Sequence, residues 1–197
     1  MRIIHREFIL AKGLFANSEQ WAQIDREIIT SIHSVVWPPS NDEFVIYPES
    51  GKKRGKGSGV VPIKQSCMEN LQHLGWSTRD RRNPLRFDAV RRCNDILLFG
   101  FEWETGNISS SHRAVNRILR GHKEGFLVGG ALVLPTQNLA QYLTDRVGNY
   151  EELEPYFDVW SNYQWKEGVL VIYGVEHDST STEVPRIRKG TDGRALQ

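Results

Sequence analysis

Along the chain, segments whose apolar residues have the spacing of a strand alternate with segments whose apolar residues have the spacing of a helix. The first apolar stretch, residues 3–10, is predicted to be a short strand. Asn17, with Gln20 three residues later, has the pattern of a capping box that begins a helix, since each side chain can bond a free backbone N–H. The residues that recur at helical spacing after it are Trp21, Ile24, Ile28 and Ile32. The pattern predicts an amphipathic helix whose apolar face packs on the core.

A second helix is predicted between Pro62 and Gly75, after a brief strand at residues 44–47. Proline suits the first helical position, and glycine suits the position after the last turn. The apolar face of this helix consists of Ile63, Cys67, Leu71 and Leu74. Glu69 falls roughly opposite that face at about 100° per residue, which favours contact with solvent.

The C-terminal half continues the alternation. Residues 126–134 are apolar and rich in glycine, as is typical of a buried strand in a parallel sheet. One helix is predicted to begin at Ile108 and another to span residues 137–147, and residues 169–175 are predicted to form a further strand. Alternating helices and apolar strands predict an α/β layer fold.

Residues 84–105 have the pattern of a β-hairpin. Residues 85–90 alternate apolar and polar side chains, and residues 93–95 favour a turn. Residues 96–101 form an uncharged run that is typical of a buried central strand. The chain is expected to fold back on itself here, with the second strand in the middle of the sheet.

Three carboxylates are brought together by this hairpin. Glu102 and Glu104 flank Trp103, and both side chains lie on one face because side chains alternate along a strand. The fold-back brings Asp88 near Glu102. Close carboxylates repel one another unless a cation binds, and Mg²⁺ prefers oxygen ligands. The pattern therefore suits metal-assisted phosphodiester hydrolysis. The alternative is that Glu102 and Glu104 lie on a solvated strand face.

Composition limits the other possibilities. At 197 residues, the chain is predicted to be one domain spanning 1–197. The 25 Lys and Arg nearly cancel the 24 Asp and Glu, so any DNA-binding surface must come from local clusters. Cys67 and Cys93 lack the spacing of a zinc or disulfide framework. No apolar run approaches a membrane span or a leader sequence, so a soluble cytoplasmic protein is predicted.

Cations cluster around the hairpin in the sequence. The glycine-rich loop 51–59 carries Lys52, Lys53, Arg54 and Lys56, and residues 79–82 form a second basic cluster. The loop can lay its charges along a phosphate backbone, and the alternative is a solvated loop. The helix that begins at Ile108 presents a positive N-terminus, with Arg113 and Arg117 one turn apart, which suits a phosphate.

The end of the chain is basic as well. The tail, residues 179–197, carries Arg186 and Arg188 and shows no core pattern. Just before it, residues 176–178 read Glu-His-Asp, which resembles a metal site on paper. Because this trio lies outside the hairpin, solvation at a strand end is the favoured interpretation.

The chain resembles a type II restriction endonuclease of the BglII/BstYI-like group within the PD-(D/E)XK nucleases. Four blocks carry the resemblance besides the helix that contains Trp21. They are Gly-Val-Val-Pro-Ile-Lys (59–64) with Leu-Gly-Trp (74–76) at the end of the helix it begins, Arg-Phe-Asp (86–88), Phe-Glu-Trp-Glu-Thr-Gly-Asn (101–107) and Ser-Ser-Ser-His-Arg (109–113). The third block, followed by its helix, is the most specific of them.

The resemblance implies roles for the hairpin residues. Asp88, Glu102 and the Trp103 carbonyl would bind Mg²⁺, for which Mn²⁺ can substitute. Glu104 occupies the place where most relatives have Lys, so its role as base, water positioner or second-metal ligand stays open. The resemblance also implies a mixed central β-sheet flanked by helices, a homodimer that cuts double-stranded DNA, and a matching DNA methyltransferase in the host.

Two other classes of function remain at this stage. One is a non-catalytic DNA-binding module of the same fold, which would bind DNA without metal and cleave nothing. The other is a glycosidase, because two carboxylates roughly 7 Å apart lie between the separations of its two mechanistic types. Metal dependence of any activity separates the three possibilities.

Overall fold

The structure is a computed structural model, and it describes residues 1–52, 55–78, 86–144 and 146–189. Lys53, Arg54, the basic cluster at 79–82 and the end of the tail lie outside these residues. The strands are β1 (Arg2–Lys12), β2 (Val45–Ile46), β3 (Ser77–Thr78), β4 (Ala89–Arg92), β5 (Leu98–Trp103), β6 (Leu127–Pro135), β7 (Gly168–Glu176) and β8 (Ser179–Thr180). The helices are α1 (Gly13–Ala16), α2 (Glu19–His33), α3 (Val61–His73), α4 (Ile108–Lys123), α5 (Gln137–Ala140), α6 (Tyr150–Leu153) and α7 (Phe157–Ser161), with a 3₁₀ turn at Glu154–Tyr156.

A mixed sheet of six strands forms the centre of the molecule, in the order β1-β7-β6-β5-β4-β3. Strands β5, β6 and β7 run parallel, whereas β1, β4 and β3 are antiparallel to their neighbours. The predicted hairpin is the β4–β5 pair, in which Ala89 lies opposite Phe101. The parallel character predicted for β6 and the mixed central sheet are both confirmed.

Helices cover both faces of this sheet. In β6, Ala131 and Val133 pack in the cluster that contains α2 and α3, while Leu132 and Leu134 pack in the cluster that contains α4, α6 and α7. Every residue of β6 is buried. This is why the strand reads as one apolar run rather than as an alternation.

The predicted start of the first long helix is wrong by one residue. Ser18, not Asn17, is the cap, and its side chain accepts a hydrogen bond from the Trp21 N–H. The prediction of its apolar face holds, since Trp21 and Ile28 are buried. In α3, Leu74 was expected on the buried face but is 37% exposed, because it lies beyond the last helical residue.

Two predicted elements are shorter than the sequence pattern suggests. Among the described residues of 137–147, only the four-residue α5 is an α-helix. The backbone that follows it bonds the loop 51–59: Ser58 N–H donates to Tyr142 O, and Thr144 N–H donates to Ser58 O. In the hairpin, the Asn94 side chain accepts from Ile96 N–H, which lengthens the turn. Strand β5 therefore begins at Leu98, and Ile96 is 73% exposed.

Strand β1 lies at the edge of the sheet and pairs only with β7 among the described strands. Its register with β7 shifts twice, between Ile3 and His5 and between Phe8 and Leu10. Such shifts are β-bulges, which bend and twist a strand locally. Among the described residues, no helix is long and apolar enough to cross a membrane.

Candidate active site

Three acids meet at the carboxyl end of β5. Glu102 and Trp103 close that strand, Glu104 follows it, and Asp88 lies just before β4. The Asp88 carboxylate accepts a hydrogen bond of 2.9 Å from the Trp103 N–H. This bond fixes Asp88 against the strand that carries Glu102, as the hairpin prediction requires.

The Trp103 carbonyl points toward Asp88. The N–H of Glu104 bonds Val133 O on β6 at 2.9 Å, whereas the N–H of Trp103 faces the opposite side, toward Asp88. The N–H and C=O of one strand residue point the same way, so the Trp103 carbonyl also faces Asp88. Asp88 and the Trp103 carbonyl thus lie at one edge of the strand, close to the carboxylate of Glu102.

Glu102 lies in an unfavourable place for a charge. It is only 2% exposed, and its Oε1 lies 2.5 Å from a guanidinium nitrogen of Arg117 on α4. Burial and the neighbouring Asp88 raise the pKa of Glu102 to about 9, and the Arg117 charge offsets only part of that rise. A carboxyl group in this position is stabilised in its ionised form by a nearby cation.

A lysine from the other helical layer reaches the same cluster. Lys64, on α3, places its ammonium 2.6 Å from Oδ1 of Asp88. Burial raises the pKa of Glu104, and the charge of Lys64 works against that rise. Sequence reasoning did not identify Lys64 as a site residue, because nothing in the spacing of α3 shows which of its polar residues faces the hairpin.

The start of α4 has some of the features that were predicted for a phosphate site. Asn107 caps the helix by accepting from the Ser110 N–H, and Arg113 donates to the Ser110 hydroxyl. Arg113 is exposed, as a phosphate contact requires. Arg117 pairs with Glu102 and keeps 28% of its side chain exposed, and its role as a phosphate contact stays a prediction.

The donor set suits a hard divalent cation. Asp88, Glu102 and the Trp103 carbonyl offer only oxygen, which is the ligand type that Mg²⁺ prefers. Across the described residues, no three His, Cys, Asp or Glu side chains adopt the arrangement of a metal site. The ammonium of Lys64 and the guanidinium of Arg117 instead bond the two carboxylates. Positive charge is therefore already placed where the oxygen ligands converge.

The described part of the loop 51–59 is attached to the body of the protein. A Cβ at Gly51 would lie 1.6 Å from Leu143 O, so only glycine fits against that carbonyl. Within the loop Ser58 is buried, while Lys52 and Lys56 are exposed. The loop is thus held on a folded segment with its described lysines directed outward.

The tail lies beside the loop 51–59. Glu49 pairs with Lys56 at 3.3 Å and with Arg186 at 3.1 Å, and Arg186 stacks over Tyr47. Arg188 is exposed. The prediction that the tail lacks core residues is wrong, since Ile187 is only 2% exposed and packs in the core.

The remaining acids are structural or solvent-exposed. Glu69 is exposed and bonds Gln65, as its position opposite the apolar face predicted. Asp178 pairs with the Met1 ammonium at 2.8 Å and accepts from the Phe44 N–H. Glu176 bonds Arg2 and Thr136. The interpretation of 176–178 as a solvated strand end is therefore wrong, because these side chains connect strands.

Comparison with known proteins decides the family. The model of the family described as "BamHI: Restriction endonuclease BamHI" matches residues 1–194. The chain belongs to the BamHI restriction endonuclease family. Among curated members, the type II restriction enzyme OkrAI of Oceanobacter kriegii is 46% identical over 179 residues, 87% of this chain and 88% of OkrAI. The type II restriction enzyme BamHI of Bacillus amyloliquefaciens is 34% identical over 205 residues, 96% of this chain and 92% of that enzyme.

The fold agrees with this membership. A crystal structure of restriction endonuclease BglII complexed with a DNA 16-mer matches with a TM-score of 0.64 at 14% identity, over 90% of this chain and 79% of that one. The restriction-endonuclease family is thus the one that the sequence resemblance predicted. As a member of the BamHI family, the chain is a type II restriction endonuclease, a DNA-cleaving enzyme. The alternatives of a non-catalytic module and a glycosidase are not supported.

Proposed function

We propose that Asp88, Glu102 and the Trp103 carbonyl bind Mg²⁺, and that the enzyme uses this site to hydrolyse double-stranded DNA at a specific sequence. The observation that carries the proposal is the hydrogen bond from Trp103 N–H to Asp88, which holds this carboxylate against the strand that carries Glu102 and the Trp103 carbonyl. Bound Mg²⁺ would stabilise charge on the phosphate and favour ionisation of water.

Each residue of the cluster has its own part in this chemistry. Asp88 is oriented by the backbone N–H of Trp103 at one carboxylate oxygen and by the ammonium of Lys64 at the other. Glu104 follows the strand and is half-buried, and it would accept a proton from the attacking water or hold that water by a hydrogen bond. The water oxygen bonds to phosphorus, one P–O bond to the DNA chain breaks, and the departing oxygen takes up a proton.

The DNA would lie across the basic surface formed by the loop 51–59, the tail and the start of α4. Exposed cations on this surface support phosphate contacts by Lys52, Arg113 and Arg188, and Lys53 and Arg54 are proposed from sequence alone. Lys56 and Arg186 share Glu49, so they contribute less free charge than the sequence suggests.

A homodimer would let one enzyme cut both strands of a palindromic site. Val159 and Tyr156, on and beside α7, are 68% and 47% exposed although both are large and apolar. Val159 lines a groove of about 630 Å³ between α4 and α7, and Tyr156 lies in the turn just before α7. Clustered exposed apolar residues are typical of contact surfaces, and we place the dimer contact there. A cytoplasmic location and a methyltransferase that protects the host site complete the proposal.

The test is digestion of DNA of mixed sequence with Mg²⁺, followed by sequencing of the new ends. Cleavage should occur at one sequence and stop in EDTA. Mn²⁺ should replace Mg²⁺, and Ca²⁺ should permit binding with little cutting. Asp88→Asn and Glu102→Gln should abolish cleavage while the protein still folds and binds DNA, because they remove metal ligands and not phosphate contacts.

Glu69→Gln is the matched control, since it removes an exposed carboxylate on α3 that lies outside the cluster. It should cleave like the wild type. Undiminished cleavage in EDTA, or by the Asp88 and Glu102 variants, would show that the proposed metal site is not the catalytic one.

A further inference from the structure

Two basic side chains reach the metal-binding carboxylates from opposite faces of the sheet. Lys64 comes from α3 and bonds Asp88, while Arg117 comes from α4 and bonds Glu102. Each carboxylate of the proposed metal pair therefore has its own cation. Of the two, Lys64 has the more adaptable side chain, because an ammonium on four methylene groups can be redirected more easily than a planar guanidinium.

Lys64 is placed by a rigid element. Its neighbours Ile63 and Cys67 are 3% and 0% exposed and fix the rotation of α3 against the sheet. The side chains of Lys64 and Asp88 are 33% and 21% exposed, so this ion pair is accessible from solvent. An ordinary surface ion pair contributes little to stability, but this one involves an oxygen that a metal would need.

The position of Lys64 also bears on Glu104, the acid that follows β5. Lys64 acts electrostatically on both Asp88 and Glu104. A lysine from a different element thus brings to this cluster the positive charge that the strand itself lacks.

We propose that Lys64 is a positioning residue of the active site, which holds Asp88 in the metal-free enzyme, gives way to the metal at Oδ1, and then offers its ammonium to the phosphate of the bound DNA. The proposal rests on the proposed metal site. Its basis is competition: an ammonium and a divalent cation cannot occupy the same carboxylate oxygen, so the lysine must oppose metal binding before DNA arrives.

The test is calorimetric titration of the DNA-free enzyme with Ca²⁺, which is read without any cleavage. Lys64→Met should bind Ca²⁺ about tenfold more tightly than the wild type, because a positive charge beside the site is lost. Lys64→Arg should retain an affinity close to wild type, since it keeps the charge. Single-turnover cleavage with saturating Mg²⁺ should nevertheless be slower in Lys64→Met, as the phosphate contact is lost.

The matched control is Arg26→Met, which breaks an ion pair with Glu19 on the exposed side of α2. It should leave the Ca²⁺ affinity unchanged. If Lys64→Met also binds Ca²⁺ with wild-type affinity, Lys64 is only a surface ion pair and the proposal fails alone. If the wild type itself binds no Ca²⁺, or if Asp88→Asn binds it equally well, the proposed metal site fails as well.

Discussion

Glu102 is a metal ligand in the proposed site, yet burial and the neighbouring Asp88 favour its protonated form by raising its pKa to about 9. A cation that binds this carboxylate must then displace a proton, so binding is weaker at lower pH. We expect the Ca²⁺ affinity of the DNA-free enzyme to rise between pH 7 and pH 9, by at most about tenfold per pH unit. Titration calorimetry at several pH values measures this directly.

The control is Glu102→Gln, which has the same shape but no proton to displace. It should bind Ca²⁺ weakly at every pH in that range. A wild-type affinity that stays constant from pH 7 to pH 9 would show that Glu102 is already ionised before the metal arrives.

Glu104 poses a different question, because a base must be ionised when water attacks. Burial raises its pKa, while Lys64 and Arg117 lower it. If Glu104 is the general base, the cleavage rate falls as the pH drops and the carboxylate is protonated. Glu104→Gln should remove that acid limb together with most of the rate, and Glu104→Lys should fail too, because its ammonium would oppose the metal.

Single-turnover cleavage measured against pH for both variants tests this role. A near-normal rate with Glu104→Gln would mean that residue 104 only holds the water by a hydrogen bond. The Asp88→Asn variant, which we expect to be inactive at every pH, provides the baseline for the comparison.

At the scale of elements, the loop 51–59 depends on close contact with the segment that follows α5. A Cβ at Gly51 would overlap Leu143 O at 1.6 Å, and backbone would have to move. Gly51→Ala should therefore lower the free energy of unfolding by more than about 2 kcal/mol. Gly55→Ala should cost only about 1 kcal/mol, from the left-handed backbone alone, since nothing lies within 4 Å of its Cβ. Urea unfolding of both variants gives the comparison, and equal losses would contradict the packing.

The charges of this loop should appear in the salt dependence of DNA binding. Replacing Lys52, Lys53, Arg54 and Lys56 by Gln should weaken binding to all sequences and reduce the slope of log affinity against log salt by about one unit per lost contact. Because Lys56 pairs with Glu49, replacing Lys56 alone should change this slope less than replacing any of the other three residues. Fluorescence anisotropy with labelled DNA at several salt concentrations measures the slope.

A control with four exposed cations from other elements replaced, Lys12, Arg26, Arg92 and Lys166, should keep the wild-type slope. An unchanged slope in the loop variant would show that these lysines and the arginine do not contact the DNA phosphates.

The acids of the hairpin were predictable because they depend on local geometry. Side-chain alternation places Glu102 and Glu104 together, and a turn near Asn94 brings Asp88 to them. The cations were not predictable in the same way. Whether Arg117 faces solvent or Glu102 depends on how α4 rotates against the sheet, which is set by tertiary packing and not by the spacing of its own residues.

The sequence pattern also could not predict the length of the helix in residues 137–147 or the burial of a tail residue. Residues 137–147 have a helical pattern, but Tyr142 O and Thr144 N–H bond Ser58, which lies 84 and 86 positions earlier in the chain. Ile187 occupies the core although its neighbours Arg186 and Arg188 are charged. A single apolar residue among cations gives no periodic signal.

At the scale of the whole molecule, the proposed position of the dimer contact, at the exposed groove beside α7, can be tested by mutation. Val159→Asp places a charge at the centre of the proposed contact, so the dimer should dissociate at least about tenfold more readily. Leu14→Asp is the control, because Leu14 on α1 is 86% exposed but lies on a different surface. Sedimentation equilibrium of the three proteins decides the matter, and equal dissociation of both variants would remove the contact from this face.

The edge strand β1 has a consequence for behaviour in concentrated solution. A long, regular edge invites a second chain to add a strand, and this is a common start of aggregation. Here the two bulges interrupt the edge, and the charged side chains of Arg6 and Glu7 lie between them. Strand-to-strand addition of a second copy at this edge is therefore unfavourable, and we expect concentrated enzyme to resist the formation of fibres through β1.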